Sequence, residues 1–234
     1  MVAQSNKPEL SIVIITKNEE KYLLRVLNSI KKQKFKDYEI IVADYNSTDN
    51  TRHIALANRC CVVQGGLPPV ARNNGAKAAR GDYILFLDAD VVLPDDFLPY
   101  ILNKLKIENA GLAVFCARPI DGRPLDAIGF WLWNFLMRVF LRLRPLGNGH
   151  CVLVRSELHK KLKGFDISLS MAEDIDYFRR ASESAKLILI CDRKVYMSMR
   201  RFKARGYFKL GLKMLFSTLL CLIFWRPKIR MRYF

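Results

Sequence analysis

The sequence predicts an α/β fold, a mainly parallel open sheet flanked by helices, and three observations carry that expectation. Apolar, β-branched runs recur at residues 10–15, 39–43, 60–63 and 83–87. Stretches with helical apolar spacing separate them, giving the order β-α-β-α-β-α-β that parallel strands require. Polar residues also gather where strand after strand stops: Thr16 and Asn18, then Asp44, then Asp88 and Asp90.

Taken in order, the first strand (10–15) ends at Thr16-Lys17-Asn18-Glu19-Glu20. Tyr22, Leu23, Val26, Leu27 and Ile30 then repeat at helical spacing. The second strand (39–43) runs into Asp44-Tyr45-Asn46-Ser47-Thr48-Asp49, turn and cap formers that can launch a helix at about residue 50. A short third strand (60–63) and a helix over 70–79 follow. The fourth strand, 83–87, is continuously apolar and bounded by Gly81-Asp82 and Pro94, the pattern of a strand covered on both faces. In the second half, residues 148–154 read as a returning strand and Gly164-Phe165-Asp166 as a turn. Ser170-Met171-Ala172-Glu173 reads as a capping box opening a helix over 174–184.

The pair Asp88-Ala89-Asp90 closes the fourth strand. Ligands of open parallel sheets bind beyond the carboxyl ends of the strands, and two carboxylates spaced i, i+2 can hold a hard divalent cation that also takes phosphate oxygens. Asp-x-Asp by itself is common in turns and at helix starts; its place at the end of a buried strand turns the reading toward a metal-phosphate site.

Four segments then resemble a known family. Residues 11–19 (SIVIITKNE), 41–51 (IVADYNSTDNT), 71–90 (ARNNGAKAARGDYILFLDAD) and 171–176 (MAEDID) look like the motifs of family 2 glycosyltransferases, in the right order and over roughly residues 9–205. The resemblance implies the GT-A fold, a Rossmann-like sheet, and an inverting transfer from a nucleotide-diphosphate sugar assisted by magnesium or manganese. It implies that Asp90 coordinates the cation and that Asp88 contacts metal or ribose. Thr16, Asn18, Glu19, Asp44, Arg72, Arg200 and Arg201 are then donor-binding residues, with Asp44 reading the base or ribose, Arg72 positioning the nucleotide or its phosphates, and the two C-terminal arginines lying over the diphosphate. Asp174, in the Glu-Asp pair, becomes the general base, with Glu173 and Asp176 as the alternatives. The family often has Pro at the place of Ile15 and two acids where this chain has Ala43-Asp44, so Asp44 serves base recognition alone.

Each residue also has a plainer reading. Asp44 suits a turn and Asp49 a helix cap. Arg72 with Lys77, and Arg200 with Arg201, could be solvated basic pairs. Acids at Glu173 and Asp174 favour a helix dipole. His150 is solitary and is not expected to bind metal.

Composition fits one catalytic domain, residues 1–205, followed by a basic, apolar segment, 206–234. At 234 residues and 51% hydrophobic, the chain can bury a large core without subdivision. No repeat, low-complexity linker or signal-peptide pattern is present. The six cysteines include no Cys-x-x-Cys pair and mostly occupy apolar runs, which predicts reduced, buried thiols.

The formal charge of +17 concentrates after residue 138 and seeks anions. No zinc-finger spacing, RNP-like motif or clear helix-turn-helix accompanies it, which argues against nucleic acid. Basic residues instead flank apolar segments at 128–141 and 214–225. Twelve uncharged residues at 214–225 are too few for a comfortable span, which needs roughly 17 to 25. They predict an interfacial anchor on an anionic membrane surface, with a docking helix and a true span as alternatives. The expected location is the cytoplasmic face of a membrane, peripheral or monotopic, with a lipid-linked or membrane-proximal acceptor. Two rivals remain: a nucleotidyltransferase, which should carry a Gly-rich basic loop where this chain has residues 16–20 without glycine, and a non-catalytic basic protein binding lipid or nucleic acid.

Overall fold

Eight strands form one sheet in the computed structural model, which describes residues 7–141, 145–169 and 172–206. The elements are β1 (Leu10–Thr16), α1 (Glu20–Lys31), β2 (Tyr38–Asp44), α2 (Thr51–Ala57), β3 (Cys61–Gln64), α3 (Pro68–Ala78), β4 (Tyr83–Asp88) and β5 (Val91–Val92). They continue as α4 (Phe97–Ile107), β6 (Leu112–Pro119), α5 (Pro124–Phe140), β7 (Cys151–Arg155), α6 (Ser156–Lys161), α7 (Glu173–Ser182), β8 (Leu187–Met197) and α8 (Arg200–Arg205).

The strand order is β3-β2-β1-β4-β7-β6-β8-β5. The half containing β3, β2, β1 and β4 is parallel, as the β-α-β order predicts. The returning strand β7 runs antiparallel between β4 and β6, and β5 closes the edge antiparallel to β8. With β6 and β8 parallel, the sheet is mixed but mainly parallel.

Register places the site. Thr16 lies opposite Asp44 and Ile15 opposite Asp88, so β1, β2 and β4 end level and bring their terminal polar residues to one edge. Alternation explains why these strands are apolar throughout. Ile12, Ile14, Leu85 and Leu87 face a core with Leu23, Leu27, Phe97 and Ile101 from α1 and α4. Val13, Ile84 and Phe86 face the opposite core, with Tyr177 and Phe178 of α7. Helix α3 approaches β1 so closely that a Cβ on Gly75 would meet Val13 Cγ1 at 2.2 Å, which is why glycine follows Asn73-Asn74.

The thiol expectation needs correction. Cys116 and Cys191 are joined as a disulfide between β6 and β8, where they follow the paired residues Phe115 and Ile190 and lie at a Cα separation of 4.7 Å. Cys61 is exposed, while Cys60 and Cys151 are buried free thiols as expected. Burial pushes the Cys60 thiol up to about 11, which leaves it unreactive. The spacing of 75 residues between the bonded pair gives no local signal.

The apolar segment at 128–141 belongs to α5, and no helix of the described residues is long and apolar enough to cross a membrane. The second apolar segment, 214–225, and the expected C-terminal unit after Gly206 lie outside the described residues, as do Ser170 and Met171 of the expected capping box.

Candidate active site

The loops after β1 and β2 are stitched together by the residues that the sequence marks as turn and cap formers. The Asn18 N–H donates to Ser47 Oγ at 2.8 Å, and Asn18 Oδ1 accepts from the Thr48 N–H at 2.8 Å. Asp49 accepts from the N–H of Glu20 at 3.1 Å and of Thr51 at 3.0 Å, satisfying orphan donors at the start of both α1 and α2. Asn18 and Asn46 have positive φ, a conformation that asparagine tolerates.

Asp44 is fully buried beneath this seam. Its carboxylate accepts from Thr16 Oγ1 at 2.9 Å, Ser47 N at 3.0 Å and Ser47 Oγ at 2.5 Å, with Arg52 at 3.5 Å. It therefore acts on its neighbours, holding the ends of β1 and β2 together. Beside it opens a cleft of about 1000 Å³, lined by Thr16, Glu19, Tyr22, Tyr45, Arg200 and Lys203. Lys17 lies over the Tyr45 ring at 4.2 Å.

Asp88 and Asp90 are 8% and 6% exposed, so each needs a partner. Asp90 Oδ2 accepts from Arg200 Nε at 3.0 Å, and the same guanidinium reaches Glu19 and packs over Tyr22 at 4.1 Å. Helix α8 is held in place by Asp121, which accepts from the Met199 N–H at 2.8 Å. The structure thus brings Arg200, Glu19 and Asp90 together across more than a hundred residues of chain. The side chain of Arg201 lies outside what is described.

Asp88 faces the other way, onto Arg72. That guanidinium is 4% exposed and donates to Asp88 Oδ1 at 3.2 Å, Glu173 Oε1 at 3.0 Å and the Gly149 carbonyl at 3.1 Å. Burial works against its charge, but Asp88, Glu173 and Asp174 outweigh burial and raise its pKa. Arg72 is thus turned inward, neither a solvated surface charge nor an open cation. The next residue of the motif, Asn73, clamps the Phe165 backbone, donating to its carbonyl and accepting from its N–H, both at 2.8 Å.

The three acids at the start of α7 have different settings. Glu173 pairs with Arg72, and Asp176 pairs with Arg180 at 2.7 Å. Asp174 is part-exposed and accepts only backbone N–H groups among the described residues, from Gly149 at 2.9 Å and Ile175 at 2.8 Å. Burial first, then the Glu173 charge, pushes its carboxyl up to about 7, with Arg72 and the two N–H donors pulling the other way. A carboxylate poised near neutrality can accept a proton from a bound hydroxyl.

Sequence reasoning missed Gly149, whose only signal is an Asn-Gly-His turn. A Cβ there would meet Asp174 Oδ2 at 2.8 Å. It also missed Asp121, Tyr22 and Lys203, which carry no motif. Among the described residues no three His, Cys, Asp or Glu side chains converge as a metal cluster.

Comparison with known proteins gives a consistent result. The model for Glycosyl transferase family 2 matches residues 11–162. An uncharacterised glycosyltransferase of Rickettsia typhi is 28% identical over 188 residues, covering 75% of this chain and 59% of the relative. The GalNAc(5)-diNAcBac-PP-undecaprenol beta-1,3-glucosyltransferase of Campylobacter jejuni is 34% identical over 109 residues, 42% of this chain and 34% of that one. The chain thus spans less than two thirds of these relatives' length. Among solved structures, Staphylococcus aureus TarS 1–349 in complex with UDP-GlcNAc superposes with a TM-score of 0.66 at 24% identity, over 81% of this chain and 58% of that one. The mannosyltransferase PcManGT of Pyrobaculum calidifontis, in complex with GDP-Man and Mn2+, gives 0.65 at 21% identity, over 82% and 57%. Both likenesses establish the fold.

Proposed function

The chain belongs to glycosyl transferase family 2 and has its GT-A fold, and on that premise we propose that it transfers a sugar, with inversion, from a nucleotide-diphosphate sugar to a hydroxyl or phosphate oxygen of a lipid-linked or membrane-proximal acceptor. One observation carries the reading. Arg72 joins Asp88, at the end of β4, to Glu173 and Gly149, and Gly149 in turn holds Asp174. Donor carboxylate and candidate base thus belong to one hydrogen-bonded unit.

The donor takes the cleft beside Thr16, Tyr22, Tyr45 and Arg200. Asp44 stiffens its floor, so its part in nucleotide recognition runs through Thr16 and Ser47. Asp90, beside the cleft with Arg200, would hold magnesium or manganese with phosphates and water completing the shell, and Asp88, turned onto Arg72, would support that site from behind. When bound, the ion neutralises charge on the leaving diphosphate. The guanidinium of Arg200 adds forked donors to the same leaving group.

Asp174 removes the proton of the acceptor hydroxyl as the oxygen forms its bond to C1. The bond from C1 to the diphosphate oxygen breaks, and its electron pair leaves with the nucleoside diphosphate. A single in-line displacement inverts the anomeric centre. Arg72 keeps Glu173 paired, so that Asp174 is the carboxylate free to act.

The undecaprenol-linked substrate in the name of the Campylobacter relative supports a lipid-linked acceptor, and the charge of +17 supports action at the cytoplasmic face of an anionic membrane. The basic, apolar residues 206–234 are proposed as one membrane contact. A thermal-shift screen of nucleoside diphosphates and nucleotide sugars with manganese tests the donor half. A ligand that binds only the native state raises the melting temperature. No shift with any nucleotide or nucleotide sugar would remove the transferase reading.

A further inference from the structure

Helix α5 is apolar on both faces, with Phe130, Trp133, Met137 and Phe140 packing inward beside Asp126 and Asn134. Of its seventeen residues only Asp126, Asn134 and Met137 are buried, and two of those are polar. Asp126 accepts from the Arg123 N–H at 2.5 Å, and Asn134 bonds both the N–H and the carbonyl of Ala117 on β6, at 3.1 and 2.8 Å. The opposite face carries Leu125, Ile128, Trp131, Leu132, Phe135 and Val139, all between 47% and 75% exposed. Only four other large hydrophobic residues of the described chain are exposed, and they are scattered. Positions 125, 128, 132, 135 and 139 follow a strict three-four spacing, so they form a continuous stripe, with Trp131 stacked on Phe135 at 6.0 Å. A water-facing helix has the reverse pattern, and an apolar stripe of this size marks a contact surface.

We propose that this face is a bilayer-docking surface, seated at the boundary of headgroups and acyl chains in a membrane containing anionic lipid, and that it delivers the lipid end of the acceptor beside Asp174. The delivery clause rests on the proposed transfer reaction; the docking does not. Three features select a bilayer as the occupant. The helix is about 25 Å long at 1.5 Å per residue, too short to span and suited to lying in the plane. Arg118, Arg123 and Arg138 are exposed around it, and the sequence has no Asp or Glu from Ala127 to Ser156. A symmetric pairing of two copies would bring like charges together, whereas lipid phosphates complement them.

The inner side of the same helix leads to the base. Trp133 Nε1 donates to Asn148 Oδ1 at 2.5 Å, and the next residue, Gly149, donates to Asp174. Met137 and Trp133 pack with Ile175 and Ala172, on either side of Glu173 and Asp174. The stripe and Asp174 thus lie on opposite sides of one helix, so docking α5 would bring Asp174 to within roughly one helix diameter, about 10–12 Å, of the bilayer boundary.

The test uses the full chain and vesicles of phosphatidylcholine with phosphatidylglycerol. Co-sedimentation compares wild type with the triple variant Ile128→Ser, Trp131→Ser, Phe135→Ser, and lipids brominated in their acyl chains report tryptophan depth in wild type and Trp131→Phe. The expected result is partitioning weaker by at least about tenfold in the triple variant, quenching that loses the Trp131 share in Trp131→Phe, and an unchanged nucleotide-sugar thermal shift. Equal partitioning, or a vesicle-bound protein whose Trp131 is not quenched, overturns the proposal. So does a lipid-independent dimer that the triple variant dissolves, which would make the face a protein interface. Docking that holds while no nucleotide sugar binds removes the transferase reading and leaves the surface standing.

Discussion

Replacing Arg72 with Met should destabilise the protein by an amount that reveals its role. The guanidinium lies about 3 Å from two carboxylates whose side chains are each 11% exposed. At an effective dielectric of about 20, each pair has roughly 5 kcal/mol of gross attraction, most of it offset by desolvation. Removing only the cation leaves Asp88 and Glu173 buried and uncompensated, which costs about 3–5 kcal/mol. A domain with about 5–15 kcal/mol of stability survives that loss. Urea denaturation at neutral pH should therefore show a lower midpoint with the wild-type slope retained. A variant as stable as wild type would refute the hub.

Four further outcomes follow from the same geometry. The carboxyl of Asp174, pushed up to about 7, must be ionised to act, so transfer should rise about tenfold per pH unit below that value and level off above it. Its folded value exceeds its unfolded one, so its contribution to stability is full below about pH 4 and lost by about pH 7; Asp174→Asn should gain on wild type across that window in denaturation experiments, and no relative gain would contradict the assignment. Gly149→Ala pushes a methyl group to 2.8 Å from Asp174 Oδ2 and should lower kcat while leaving nucleotide-sugar affinity near wild type, as calorimetry would show. Asp90→Asn should lose most manganese-dependent donor binding with the fold intact; undiminished affinity in a folded variant would remove Asp90 from the metal site.

The parallel half of the fold was legible because its signals are local: β-branched runs of strand length, helical apolar spacing between them, and cap formers at the right offsets. The gathering of Thr16, Asp44 and Asp88 at one edge was legible for the same reason, since register ends their strands level. What local sequence cannot show is partnership across the chain. Arg72 and Glu173 lie 101 residues apart, and Arg200 and Glu19 lie 181 apart, so whether each arginine faces solvent, phosphate or a carboxylate is decided by folding. The disulfide was hidden by the same long separation, since only the pairing of β6 with β8 brings the two cysteines side by side. The apolar run at 128–141 was visible as composition, but which of its apolar residues turn inward is decided by folding, with Asn134 tied to Ala117 on the inner face.

The central claim is that Asp174 activates an acceptor for attack on a nucleotide-bound sugar. Its most direct measurement is nucleoside diphosphate release from the donor that shifts the melting temperature, with manganese and a polyprenyl-phosphate or glycolipid acceptor, for wild type and Asp174→Asn. The account predicts that both proteins bind the donor and that the variant transfers roughly 10² to 10⁴ times more slowly. Near-normal transfer by Asp174→Asn would contradict it and move the base to Glu173 or Asp176.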